Sequence, residues 1–115
     1  MHELSIAMSI VELAEEQSVQ RGGAIVLAIH LKLGALAGVV KKALLSSYEL
    51  ACEGTELAGS RLVIEEVPVI VYCPSCLALR ELASTQSFAC PQCQSPVSEV
   101  LQGRELEVVA LEIQE

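Results

Sequence analysis

The sequence predicts an α+β fold, a small three-stranded sheet with two helices and an inserted module held by four cysteines. Three observations carry that prediction. Two segments repeat apolar residues at helical spacing, and three segments alternate them at strand spacing. Between the last two strands, Cys, Pro, Ser and Gln replace the aliphatic pattern. The chain has 115 residues, 52% of them hydrophobic, which suits one compact body with a stapled insertion.

The first helix is expected from Leu4 to about Gln20, with Leu4, Ala7, Met8, Val11 and Ala14 on its core face. Arg21 suits the negative end of the helix dipole, and Gly22-Gly23 ends the helix. A strand follows over about Ala24–Leu33. Strict alternation would put Ile25, Leu27, Ile29, Leu31 and Leu33 under the helices, with Val26, Ala28, His30 and Lys32 opposite. After a turn at Gly34–Gly38, a second helix is expected over about Val39–Cys52, with Val40, Ala43, Leu44, Ser47, Tyr48 and Ala51 in one stripe. Arg61–Val67 reads as the second strand, interrupted by Pro68 and continued in extended form over Val69–Tyr72. The final strand is expected over about Arg104–Ile113, Leu106, Val108 and Ala110 alternating against Val109, Leu111 and Ile113. The implied division is a discontinuous body, residues 1–70 and 98–115, and a module at 71–97.

Charge excludes some functions. Fifteen acidic residues, all Glu, against 7 basic ones give a net charge of −8, which repels phosphate backbones. Three aromatic residues, Tyr48, Tyr72 and Phe88, leave little for a base-stacking platform. No apolar run approaches the roughly 20 residues of a membrane span. With no basic leader at the N-terminus, a cytoplasmic location is expected, where clustered thiols point to metal or redox chemistry rather than disulfides.

The cysteines are arranged as two hooks, Cys73-Pro74-Ser75-Cys76 and Cys90-Pro91-Gln92-Cys93, with thirteen residues between them. Two residues between thiolates let both sulfurs reach one ion while the intervening amides turn toward them. Two hooks complete a tetrahedral shell with Zn–S distances of about 2.3 Å, making the module zinc-ribbon-like. Zinc would also supply the folding free energy that so short a segment lacks. Iron in a rubredoxin-like shell uses the same ligands. Two disulfides, or a single redox dithiol, leave part of the pattern unexplained. Cys52 reads as a small buried hydrophobe, Met8 as core and His30 as a structural or surface histidine. No nucleophile, acid–base pair or phosphate loop marks an enzyme.

At the N-terminus, a histidine in second position can chelate through its imidazole, its own deprotonated amide and the free α-amine. That set favours square-planar Ni(II) or Cu(II). Taken alone, His2 reads first as a polar residue opening a helix, with Glu3 complementing the dipole, since a lone histidine is more often not a ligand. The wider pattern bears on this choice. It runs through Met1-His2-Glu3-Leu4-Ser5-Ile6-Ala7, Leu33-Gly34-Ala35-Leu36-Ala37-Gly38-Val39-Val40, Gly54-Thr55-Glu56-Leu57 and Glu65-Glu66-Val67-Pro68, then the two hooks. Over essentially the full length it resembles the HypA/HybF family of nickel-incorporation proteins for [NiFe]-hydrogenase maturation.

The resemblance implies nickel as transferred cargo, bound by His2 with the Met1 amine and neighbouring amides and supported by Glu3. It implies structural zinc on Cys73, Cys76, Cys90 and Cys93. The partners it implies are a nickel-binding GTPase and the hydrogenase large-subunit precursor, with some family members serving urease. Neither nucleic acid nor membrane is expected as a partner, and the chain is a monomer or homodimer. One departure concerns the residues just after the hooks, often glycine in the family and here Leu77 and Gln94. A zinc-ribbon adaptor that binds proteins without moving metal is the alternative function.

Overall fold

A computed structural model describes residues 2–114. The elements in order are α1 (Glu3–Gln20), β1 (Ile25–Gly34), α2 (Lys41–Cys52), β2 (Arg61–Val67), β3 (Val69–Cys73), β4 (Ala78–Leu82), β5 (Val100–Gln102) and β6 (Leu106–Gln114). They form two three-stranded sheets, ordered β2-β1-β6 and β4-β3-β5. In the first sheet β1 runs parallel to β2, joined through α2, and antiparallel to β6. Helix α1 packs on α2, and residues of both join one core with β1 and β2. Among the described residues, no helix is long and apolar enough to cross a membrane.

The core stripe of α1 is Ala7, Ile10, Val11, Ala14 and Ser18, rotated from the expected one. Met8 lies about 100° round the helix from Ala7 and is 58% exposed, and Leu4 is also exposed, so neither is core. Ser18 can be buried because its hydroxyl donates to the Ala24 carbonyl at 2.6 Å. Gly22 and Gly23 both take positive φ, in keeping with their helix-ending role. In α2 the buried residues are Leu44, Tyr48 and Cys52, while Val40 is exposed ahead of the helix. Cys52 is a core residue.

The strict alternation expected of β1 fails for a local reason. Val26 pairs with Ile113 and Ala28 with Glu112, leaving Leu27 as an extra residue in a bulge. The phase reverses across this region: Val26 is buried before the bulge and Ala28 just after it, then Ile29, Leu31 and Leu33 are buried on the other parity, while Ile25 and Leu27 are exposed. A second bulge, at Val109 of β6, does the same there. Leu106 and Val108 before it and Leu111 and Ile113 after it all pack on the core, while Val109 and Ala110 face away. A period-2 reading cannot anticipate an inserted residue that keeps both halves of a strand apolar on one face.

Val69–Tyr72 also departs from expectation. It does not continue β2 but forms the centre of the second sheet, with β4 on one side and β5 on the other. Pro68 lacks the N–H that would carry the first ladder onward, and the chain changes sheets there. Val69, Val71, Cys73, Leu82, Cys90 and Val97 form a second buried cluster.

The two sheets meet at Gly34 and Gly103. The Gly34 amide donates to the Glu105 carbonyl at 2.7 Å, and the Leu36 amide to the Gly103 carbonyl at 2.7 Å. A side chain on Gly34 would overlap the backbone of Gly103 and Arg104, and one on Gly103 would strike Val69.

Candidate metal centres

Strand pairing brings the two cysteine hooks together. Cys73 ends β3 and pairs with Ala78, so Cys76 lies in the tight turn of the β3–β4 hairpin. Cys90 is drawn in by the bridge between Ala89 and Pro96 and by its amide donating to the Ser95 carbonyl at 2.8 Å. All four sulfurs lie within 4.8 Å of one another. Cys73 and Cys93 sulfurs are 3.5 Å apart, and those of Cys76 and Cys90 3.9 Å. A tetrahedron of sulfurs about 2.3 Å from a central ion has edges of about 3.8 Å, close to the two shorter separations, so the four sulfurs are grouped as one zinc ion requires. Cys73 and Cys90 are fully buried and Cys93 is exposed, placing the site at one edge of the second core.

The thiolates are prepared by the knuckles. The Cys76 amide points at the Cys73 sulfur at 3.4 Å. Backbone amides of Cys93 and Gln92 hold the Cys90 thiol down at about 6, although burial opposes them. Ser95, through its hydroxyl and its amide, lowers the Cys93 thiol. At Cys76, nearby Arg80 lowers the pKa, but the Cys93 sulfur, burial and the other two sulfurs push it up to about 11. Four thiols this close without an ion must share protons, and a divalent cation replaces those protons.

Arg80 was not singled out by the sequence. Its guanidinium lies against the sulfurs of Cys76 and Cys90, which raise its pKa, and its buried Nε has no hydrogen-bond partner among the described residues. It offsets part of the charge of a four-thiolate shell. The available signal was a lone arginine four residues after Cys76.

Leu77 and Gln94, each just after a hook, take φ of 54° and 65°. They adopt the left-handed turn for which glycine is the ordinary choice, so the hooks close with the expected knuckle shape.

His2 precedes α1 in extended conformation with its side chain exposed. Its carbonyl accepts the first helical bond, from Ile6 at 3.2 Å. The amides of His2 and Glu3 fall among the helix-start N–H groups that have no carbonyl four residues earlier. Glu3 does not reach back to His2: its Oε2 accepts the Val40 amide at 3.3 Å, ahead of α2. Its own amide and that of Val40 hold the carboxyl below the usual 4.5. Met1, the expected source of the amine, lies outside the described residues. His30 donates from Nε2 to the Glu112 carboxylate at 2.7 Å on the exposed sheet face, as a surface histidine.

The comparisons with known proteins agree along the whole chain. A family model described as "Hydrogenase/urease nickel incorporation, metallochaperone, hypA" matches residues 1–113. The chain is 52% identical over 112 residues to the hydrogenase maturation factor HypA of Chloroflexus aurantiacus, covering 97% of this chain and 98% of that protein. It is 48% identical over 115 residues to the HypA of a Roseiflexus species, covering 100% of this chain and 94% of that one. The solution structure of the Ni metallochaperone HypA from Helicobacter pylori has the same fold, with a TM-score of 0.62 at 23% identity over 98% of this chain and 97% of that one. A second solution structure of a HypA protein gives 0.70, also at 23% identity, over 99% and 97%. With a four-sulfur centre suited to structural zinc and a sequence that opens Met-His-Glu, the chain belongs to the HypA family of hydrogenase-maturation nickel metallochaperones.

Proposed function

We propose that the protein binds Ni(II) at its N-terminus through the Met1 α-amine, the His2 amide and the His2 imidazole. It would then deliver the ion to the [NiFe]-hydrogenase large-subunit precursor, working with a nickel-binding GTPase. Zinc on Cys73, Cys76, Cys90 and Cys93 is structural, and residues 71–97 form its module beside the nickel-handling body of residues 1–70 and 98–115. The observation that carries the nickel reading is the placement of His2. Its ring is exposed, and the amides of residues 2 and 3 can lose their protons without breaking a helical hydrogen bond.

Planar nitrogen donors suit Ni(II), and a site open to solvent can pass its ion on by ligand exchange. Binding needs a neutral imidazole and displaces protons from amine and amide, so affinity falls as pH falls. Glu3 acts here as a support. Its Oε2 is engaged by the Val40 amide just ahead of α2, so coordination through the same carboxylate would link cargo to the start of α2.

The test compares zinc-loaded protein with a native N-terminus, the same protein carrying two extra residues before Met1, and His2→Ala. Calorimetry is expected to show loss of tight Ni(II) binding in both variants, with zinc content and circular dichroism unchanged. Unchanged nickel affinity in both would refute the N-terminal site.

A further inference from the structure

Strand β6 is the outer strand of the first sheet and pairs only with β1. Over Leu106–Gln114, its other side has no backbone partner among the described residues. Such an edge is a template for another strand unless it is blocked, and the segment contains no Lys or Pro. Beside it, α1 and β6 enclose a trough made of two cavities of about 390 and 320 Å³ that share Leu13 and Val108. Ile6 and Ile10 line one end, and Leu111 and Ile113 line the other. A strand laid about 4.8 Å beyond β6 would place alternate side chains over this trough.

Charge selects the occupant. On the opposite face of β6 stand Glu107 and Glu112, both exposed, with Lys32 of β1 directly across from Glu107, while among the described residues Arg21 is the charged side chain that lines the trough. Glu112 is engaged by His30 and Arg61, but Glu107 has no ion pair among the described residues. A second copy of β6 is a poor fit. The bulge at Val109 allows one antiparallel register that keeps both apolar faces together, with Leu106 opposite Ile113 and Val108 opposite Leu111. That register sets Glu107 directly opposite Glu112 twice over, which is destabilising. A segment alternating apolar and basic residues satisfies both faces at once.

We infer that the β6 edge and its trough bind, by strand addition, an extended segment of a partner protein in which apolar residues alternate with lysine or arginine. The inference stands independently of how nickel is held.

The test uses full-length, zinc-loaded, isotope-labelled protein and three nine-residue peptides. One alternates Val and Lys, the second has Glu in place of Lys, and the third is the first with a central Pro. The Lys peptide should shift the amides of Leu106–Gln114, slow their hydrogen exchange and bind less tightly as salt rises. The Glu and Pro peptides should bind at least about tenfold more weakly, as should the Lys peptide to Glu107→Lys. Leu13→Lys should have the same effect through the trough, and Glu107→Lys, being at an exposed position, keeps the test valid if Leu13→Lys does not fold. Equal binding of all three peptides, or shifts confined to the second sheet, would overturn the inference. So would a concentration-dependent doubling of mass with β6 protected in the absence of peptide, which would make a second copy the occupant.

Discussion

Leu77 and Gln94 occupy backbone conformations that cost an L-residue about 1–2 kcal/mol, and both side chains are exposed. The strain persists because the hooks must turn their amides toward sulfur. Replacing either residue by glycine should relieve it, less the entropy glycine gains in the unfolded chain. Leu77→Gly and Gln94→Gly are each expected to stabilise the zinc-loaded protein by about 0.5–1 kcal/mol in denaturant unfolding. Equal or lower stability would mean the turns are not strained. Glu3 supports a second prediction at this scale. Because Val40 and the residue's own amide hold its carboxyl below 4.5, the charged form is favoured in the fold, and the contact is intact above that pH. As pH falls through the lowered value the contact is lost, so the Val40 amide resonance should titrate with a midpoint below 4.5. Glu3→Gln should abolish that titration.

Helices α1 and α2 are held by more than their apolar stripes. The Tyr48 hydroxyl and Ser60 Oγ are 2.6 Å apart, and Ser60 in turn donates to the Leu57 carbonyl at 2.6 Å, fixing the connection from α2 to β2. Burial raises the Tyr48 hydroxyl to about 12 even though Ser60 opposes it. Tyr48→Phe should cost about 1 kcal/mol near neutral pH, because Ser60 keeps one partner. In the unaltered protein, stability should be flat with respect to this group below pH 10.0. It should decline as pH rises toward 12, where the unfolded chain ionises first. Five of the elements were legible from apolar periodicity alone: α1, β1, α2, β2 and β6. The phase of β1 and β6 was not, because the bulges at Leu27 and Val109 each insert one residue and reverse the face. Strands β4 and β5 were also hidden. Their residues carry little alternation, and their pairing is dictated by β3 and by the sulfur cluster rather than by propensity.

At the scale of the molecule, two hydrophobic clusters are joined through a glycine contact. One cluster holds the helices and the first sheet, and the other the second sheet with Cys73 and Cys90. Gly34→Ala would force the Gly103–Arg104 backbone away and should destabilise by more than about 3 kcal/mol, seen as a large fall in denaturant midpoint. Removing zinc with a chelator should loosen the second sheet first. Hydrogen exchange is expected to rise across Val69–Gln102 while Ile29, Leu31 and Leu44 remain protected. The zinc ligands were plain in the sequence, since two C-x-x-C hooks admit few other uses. The N-terminal nitrogens were not: a single histidine has no partner in spacing, and its meaning came from the wider pattern around it.

The most direct measurement is an absorption titration of zinc-loaded protein with Ni(II), using a native N-terminus near pH 8, together with the magnetic state of the product. Binding through the amine, amide and imidazole should give a yellow, diamagnetic, square-planar species at one equivalent. A green, paramagnetic, octahedral product would contradict the account, because it would place nickel on oxygen donors rather than on Met1 and His2.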